Sequence, residues 1–204
     1  MAQAERLVLK DVPMLLDVNI TGWSRSYNFV RDVAVSWLSS CLSKLEVLTL
    51  FDLSSPSDQP HEQILELPQL SSLKQLTLLV YASKDRGLIG CTSLIKASPN
   101  LEKFVLKLQL YSDIKRSNRE FKKAKNYPHQ HLKVVKISGY YGRKSEVELI
   151  NYFLENAIAL ENIIVDPHEE LTYRSRSMHE EVARSFAQEQ LEGKIPSRIN
   201  LVIL

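Results

Sequence analysis

A few clusters of side chains in this sequence have the types that do chemistry, and each falls short of a site. His179-Glu180-Glu181 begins like a helical zinc-protease motif but lacks the second histidine that such a motif needs at its fifth position, so it reads as a solvated helix face. His129-x-His131 sets two imidazoles on one side of an extended segment; with no cysteine nearby and no third spaced ligand, it reads as a turn ahead of a strand. Cys41 and Cys91 have neither metal-ligand spacing nor a disulfide-dense setting, and are expected to be buried free thiols. The six glycines are scattered, and no Gly-x-Gly-x-x-Gly or Walker pattern offers a phosphate cradle. Spacing alone defends no serine, histidine and acid triad, which is a matter of geometry. The expectation is a chain that is not an enzyme and takes no cofactor or metal.

Charge narrows the partners. The net charge is +2 with 25% charged residues, so no global basic field drives non-specific nucleic-acid binding. Lys115-Arg116-Ser117-Asn118-Arg119-Glu120-Phe121-Lys122-Lys123-Ala124-Lys125 is locally basic around one aromatic. It has two readings: a contact for acidic protein or RNA, and a solvated loop. Glu5, Arg6, Lys10 and Asp11 interrupt any apolar run at the start that would serve as a signal peptide or span, so cytosol or nucleus is the expected compartment and no membrane contact is expected. Asn19-Ile20-Thr21 matches a glycosylation acceptor that matters only in a secreted chain.

The elements that must position any site announce themselves as a repeat. Leu-x-x-Leu-x-Leu or an apolar variant recurs at Leu15-x-x-Val18-x-Ile20, Leu45-x-x-Leu48-x-Leu50, Leu73-x-x-Leu76-x-Leu78, Leu101-x-x-Phe104-x-Leu106, Leu132-x-x-Val135-x-Ile137 and Leu160-x-x-Ile163-x-Val165. First positions are 30, 28, 28, 31 and 28 residues apart, near the upper end of the leucine-rich-repeat range. Leu7 and Leu9 suit the stump of a further strand. Between the strands the period turns helical, with Val30, Val33, Trp37 and Cys41 in one segment and Val147, Ile150, Leu154 and Ala157 in another. Ser145 is the expected cap of the latter, with Glu146 and Glu148 at the positive end of its dipole. A further helix is expected over about residues 88–97 and a loop from Ser54 to Pro60. Pro99-Asn100 and Asp166-Pro167 punctuate unit ends. The fold class expected is α/β: a leucine-rich-repeat solenoid with short parallel strands on the inner face and helices on the outer face. A buried leucine contributes about 1.5–3 kcal/mol, too little for one unit to offset its own ordering entropy, so neighbouring units must stack.

Strand alternation then nominates a surface. If the fourth and sixth positions of each phrase are core, the third and fifth face the other way. The non-core strand positions are then Asp17, Asn19, Val47, Thr49, Gln75, Thr77, Lys103, Val105, Lys107, Val134, Lys136, Asn162 and Ile164, and a register slip of one residue would exchange the two sets. Lys103, Lys107 and Lys136 beside Val105 and Val134 mix charge with apolar area, as a partner interface for an acidic protein does. The competing reading is that strand lysines keep the sheet soluble.

The segment His131-Leu132-Lys133-Val134-Val135-Lys136-Ile137-Ser138-Gly139-Tyr140-Tyr141-Gly142 resembles the opening of the plant FBD domain. Residues Glu146 to Ala157 stand where that family has a helix, Leu160 to Pro167 where it has a strand, and Ile195 to Leu204 resembles its terminal strand. The resemblance to plant F-box/FBD/LRR proteins implies leucine-rich repeats over 1–126 and an FBD-like region over 127–204 that continues the same solenoid. It implies a protein-protein interaction module that selects a target protein for an SCF-type ubiquitin ligase. No F-box-like leucine-proline opening precedes the first repeat, so a Skp-type adaptor is expected as a partner only through an F-box outside this chain. Two alternatives stand beside this: a repeat protein that binds targets without ligase coupling, and a nucleic-acid-binding repeat protein that uses the 115–125 segment.

Overall fold

The structure, a computed structural model, describes residues 16–20, 44–54, 69–82, 88–110, 120–121, 123, 126–168 and 177–204. Seven strands form one sheet: β1 (Asp17–Ile20), β2 (Val47–Ser54), β3 (Gln75–Ala82), β4 (Lys103–Leu110), β5 (Val134–Ser138), β6 (Asn162–Asp166) and β7 (Asn200–Ile203). They lie side by side in chain order and every neighbouring pair is parallel. The fold is thus α/β, and the strands of the first six repeat phrases coincide with β1 to β6.

The repeat phrase explains the register. The fourth positions Val18, Leu48, Leu76, Phe104, Val135 and Ile163 pair across the sheet, and Leu201 of β7 continues the row. A second row joins Leu50, Leu78, Leu106, Ile137, Val165 and Ile203. Apart from Val18, Leu201 and Ile203, these side chains are at most 2% exposed, and the first-position leucines Leu45, Leu73, Leu101, Leu132 and Leu160 are equally closed. Branched and aromatic side chains stacked on one parity leave a slip of one residue no apolar alternative, because it would turn the whole row to solvent. One irregularity occurs between Leu50 and Leu53, where β2 carries an extra residue against β3.

Among the described residues, helical structure occurs in three crossovers. A 3-10 turn at Leu88–Cys91 runs into α1 (Thr92–Lys96), within the span expected to be helical. The segment's Ser98 hydroxyl donates to the Leu94 carbonyl (2.8 Å). The second helix, α2 (Lys144–Asn156), and the third, α3 (Ser177–Leu191), follow β5 and β6. Their buried residues join the core of the even strand positions: Phe153 lies 5.4 Å from Phe104 between ring centroids, and Ala187 and Leu191 belong to the same cluster.

Two helix expectations need correction. The buried stripe of α2 runs through Glu146, Leu149, Ile150, Phe153 and Asn156, while Val147 and Leu154 are only half-buried; both stripes satisfy a 3.6-residue period, and the large Phe153 takes the sheet side. The N-cap is Arg143, and Ser145 is buried inside the first turn. The orphan amides are satisfied by Glu146, whose Oε2 accepts from the N–H groups of Tyr141 (2.8 Å) and Arg143 (3.1 Å). Its Oε1 accepts from Arg143 Nε at 2.5 Å, an ion pair no more than 3% exposed on either side. The helix expected around Val30, Val33, Trp37 and Cys41, the strand stump at Leu7 and Leu9, and Leu15 lie outside the described residues. Of the loop expected from Ser54 to Pro60, Ser54 closes β2 and the rest lies outside them.

Candidate functional site

The odd strand positions form the face opposite the helices, and the pairing sets them in rows. Asp17, Val47, Gln75, Lys103, Val134, Asn162 and Asn200 make the first row. Asn19, Thr49, Thr77, Val105, Lys136, Ile164 and Val202 make the second. All the sequence-nominated positions except Lys107 fall in these two rows, and Lys107 begins the next.

Exposure separates the rows. Lys103, Asp17 and Asn200 of the first row are exposed and Val47, Gln75, Val134 and Asn162 are half-buried. Asn200 Nδ2 donates to Asn162 Oδ1 (3.1 Å), tying the far end of the row together. In the second row Thr49, Lys136 and Ile164 are half-buried, but Thr77 and Val105 are each 7% exposed. The expectation that these two are accessible is therefore corrected. They sit on the central strands, and beside them the third row is closed as well, with Leu79 and Ser138 both at 2%. The open part of the face is the row at the strands' N-terminal ends.

The lysines divide likewise. Lys136 Nζ lies 3.5 Å from Asp166 Oδ2, and Asp166 Oδ1 also accepts the His168 N–H (3.0 Å). Lys107 is half-buried and engaged by another group of the chain. Lys103 makes no ion pair with a described residue and projects from the open row. Of the three lysines, Lys103 is the exposed one. Sequence reasoning missed Asp166 as part of this face and read it only as punctuation. The third row, Leu79–Lys107–Ser138–Asp166, follows from the same parity carried one residue beyond the repeat phrase, a signal the sequence did contain.

Along the N-terminal rim the residue preceding each of β2 to β6 alternates in charge: Glu46, Lys74, Glu102, Lys133 and Glu161. Backbone bonds link them in turn, from Lys74 N to Glu46 O, Glu102 N to Lys74 O, Lys133 N to Glu102 O and Glu161 N to Lys133 O. Lys74 Nζ and Glu46 Oε1 are 3.6 Å apart. The rim is polar and near neutral, while the open row inside it is β-branched, amide and lysine side chains.

The other nominated chemistry resolves as structure. His129 is 3% exposed, and a 2.7 Å hydrogen bond joins its Nε2 to the Tyr152 hydroxyl. Burial, with the Lys96 charge adding to it, lowers its pKa to about 4, and burial pushes the Tyr152 phenol up. His131 is exposed on the turn, and no group of three potential ligands gathers among the described residues. Burial drives the Cys91 thiol up to about 12, which keeps it protonated and unreactive; Cys41 lies outside the described residues. Glu180 is the carboxylate partner of His168 Nδ1 (2.9 Å), so it is part of α3's surface. In the basic segment, Lys123 pairs with Glu155 (3.1 Å) and Phe121 lies under Lys144 (5.3 Å to the ring centroid), both on α2; its other members, Glu120 apart, lie outside the described residues. No helix of the described residues is long and apolar enough to cross a membrane.

The repeat phrase, the all-parallel sheet and the continuous buried rows of its fourth and sixth positions are the marks of a leucine-rich-repeat domain. No curated protein and no solved structure gives a match to the chain. The family described as the At1g61320/AtMIF1 LRR domain matches over residues 6–203, and the chain belongs to that family.

Proposed function

We propose that this chain is a protein-recognition module whose open first row, centred on Lys103, receives an acidic surface of a target protein. The observation that carries this is the row itself: half-exposed Val47 and Val134, the amides of Gln75 and Asn162, and the exposed Lys103 stand in register inside a charged rim. That is the composition of an interface, an adaptable apolar and amide centre with polar edges. Binding proceeds by complementarity, with no cofactor and no bond made or broken. The architecture that suits this role is a solenoid with strands inside and helices outside, supported by the chain-order pairing and the repeat spacing.

The finer reading is that residues 1–126 are repeats and 127–204 an FBD-like continuation, together the target-choosing part of an F-box type ubiquitin ligase subunit in the cytosol or nucleus. It is supported by the segment from His131 to Gly142, followed in order by α2 and β6.

The test is affinity capture of the tagged 204-residue chain and of a Lys103→Glu variant from plant extract, with mass spectrometry. The variant changes an exposed side chain, so its melting temperature should match the parent. Proteins captured by the parent and lost from the variant are targets of the open row. Co-purification of a Skp adaptor and cullin supports ligase coupling, and their absence beside Lys103-dependent targets supports a module that acts without it. Identical capture by both chains overturns the assignment of this row.

A further inference from the structure

The far edge of the sheet is built for a partner of a particular kind. Among the described strands β7 stands at the end of the order and pairs only with β6. The Asn200 amide donates to Glu161 O (2.8 Å) and the Leu204 amide to Val165 O (3.0 Å), so the strand alternation turns the N–H and C=O groups of Leu201 and Ile203 outward. β7 has no charge, proline or bulge, the features that ordinarily blunt an edge strand. Its Leu201, Val202 and Ile203 are half-buried, Asn200 is exposed and Leu204 is 50% exposed. On the helical side, a groove of about 390 Å³ opens between α3 and β7, lined among others by Gln188, Leu191, Ile195, Ile199, Leu201 and Ile203. It is the core layer left open at its end.

The charges around this edge are self-complementary. Arg184, Gln188 and Glu192 recur every four residues, so they share one stripe, and Gln188 places that stripe on the groove. Arg184 Nε donates to Leu204 O (2.8 Å), which fixes where α3 stands against β7. Four helical residues from Arg184 to Gln188 advance about 6 Å, and two strand residues from Leu204 back to Val202 span about the same length. Gln188 therefore stands level with Val202. Arg184 and Glu192 lie equally far on either side of it and carry opposite charges.

We infer that this edge is the interface of a homodimer, with β7 of one copy antiparallel to β7 of the other about a two-fold axis through Val202 and Gln188. The axis pairs Leu201 with the second copy's Ile203, so each outward amide meets an outward carbonyl, and sets Val202 opposite its own counterpart. The same axis places the two α3 helices side by side and antiparallel, with Arg184 of each facing Glu192 of the other. The two groove ends then close on one another. An interface in which one patch meets its own copy is what a two-fold dimer requires. The sheets continue across the axis, and the open rows of both copies lie on the same side.

Sedimentation equilibrium on the 204-residue chain should give twice the 23.4 kDa chain mass. Val202→Lys sets two like charges against each other on the axis, on the face away from the core, and should return the mass to that of one chain with an unchanged far-ultraviolet circular dichroism spectrum. Arg184→Glu alone should weaken association, and the exchanged pair Arg184→Glu with Glu192→Arg should restore it, because the inverted charges are again complementary. A chain that sediments as a monomer throughout, a dimer indifferent to Val202→Lys, or an exchanged pair no better than the single variant overturns the inference.

Discussion

Lowering the pH from about 7.5 to about 4.5 should destabilise this protein through one histidine, and the size follows from its surroundings. His129 is 3% exposed and hydrogen-bonded to Tyr152, which is itself buried, with the Tyr127 ring 5.4 Å away. Its pKa falls from 6.5 to about 4 on folding. Between those values the unfolded chain binds a proton that the folded chain does not, so stability rises with pH across the window. The contribution is present in full above pH 6.5, is lost as the pH falls, and stops changing below about 4. A fall from 6.5 to about 4 corresponds to roughly 3 kcal/mol, large against the 5–15 or so kcal/mol of a typical domain. Urea unfolding at a series of pH values reads it directly, because the midpoint moves with stability while the slope stays constant. The comparison is with His129→Gln, which keeps a polar group near Tyr152 and removes the titration. The variant should be less stable at neutral pH and should flatten the dependence between pH 6.5 and 4. Parallel curves for the two proteins would show that the histidine protonates freely in the fold and would refute the reasoning.

Two substitutions test the register and the turn after it. Leu76→Ala empties a fully buried site between the fourth-position side chains of β2 and β4 and should cost about 2–5 kcal/mol, seen as a melting temperature lower by roughly 5–15 °C; an unshifted melt would remove Leu76 from the core. Gly139→Ala should cost well over about 2 kcal/mol, because φ is +76° and an added Cβ would meet the Leu108 carbonyl oxygen at 2.2 Å. Gly193→Ala is the control, with φ +77° and nothing within 4 Å, and should cost only about 1 kcal/mol; equal melting temperatures for the two would discount the close approach of β4 to the turn.

The strands were legible because a parallel sheet covered on one side demands apolar side chains on one parity, and Leu48, Leu76, Phe104, Val135 and Ile163 supply them at nearly constant spacing. The same parity correctly set out which residues share the opposite face. What periodicity does not encode is how much of that face stays open. Thr77 and Val105 are closed because their surroundings are, and Leu79, an apolar residue on the polar parity, was the hint that this face is not uniform along the strand. The lysines mislead for a related reason. Lys136 and Asp166 are 30 residues apart in the chain yet neighbours across β5 and β6, so the compensation is visible only once the register is carried to the strand ends. The cap of α2 was misplaced because Ser145 has the right chemistry in the wrong turn; Glu146 does the capping from inside the helix, reaching back to the amides of Tyr141 and Arg143.

That cap also explains why the turn following β5 holds its shape so close to the sheet. Gly139 passes against Leu108, its amide donates to His168 O, and the Tyr140 amide donates to Asp166 O, so the turn is fastened to the end of β6. Tyr140 Oη then donates to Gln190 Oε1 (2.7 Å), and Gln190 Nε2 to Gly142 O (3.0 Å), which fastens α3 to the same turn. Gln190 and Gln188 are neighbours on α3, one gripping the turn and the other lining the groove at β7. The helix that presents Arg184 and Glu192 at the sheet edge is therefore anchored through buried groups to the strands that carry Lys136 and Asp166. A preorganised edge of this kind loses little conformational entropy when a second copy binds, and that favours association through the rigid β7–α3 side.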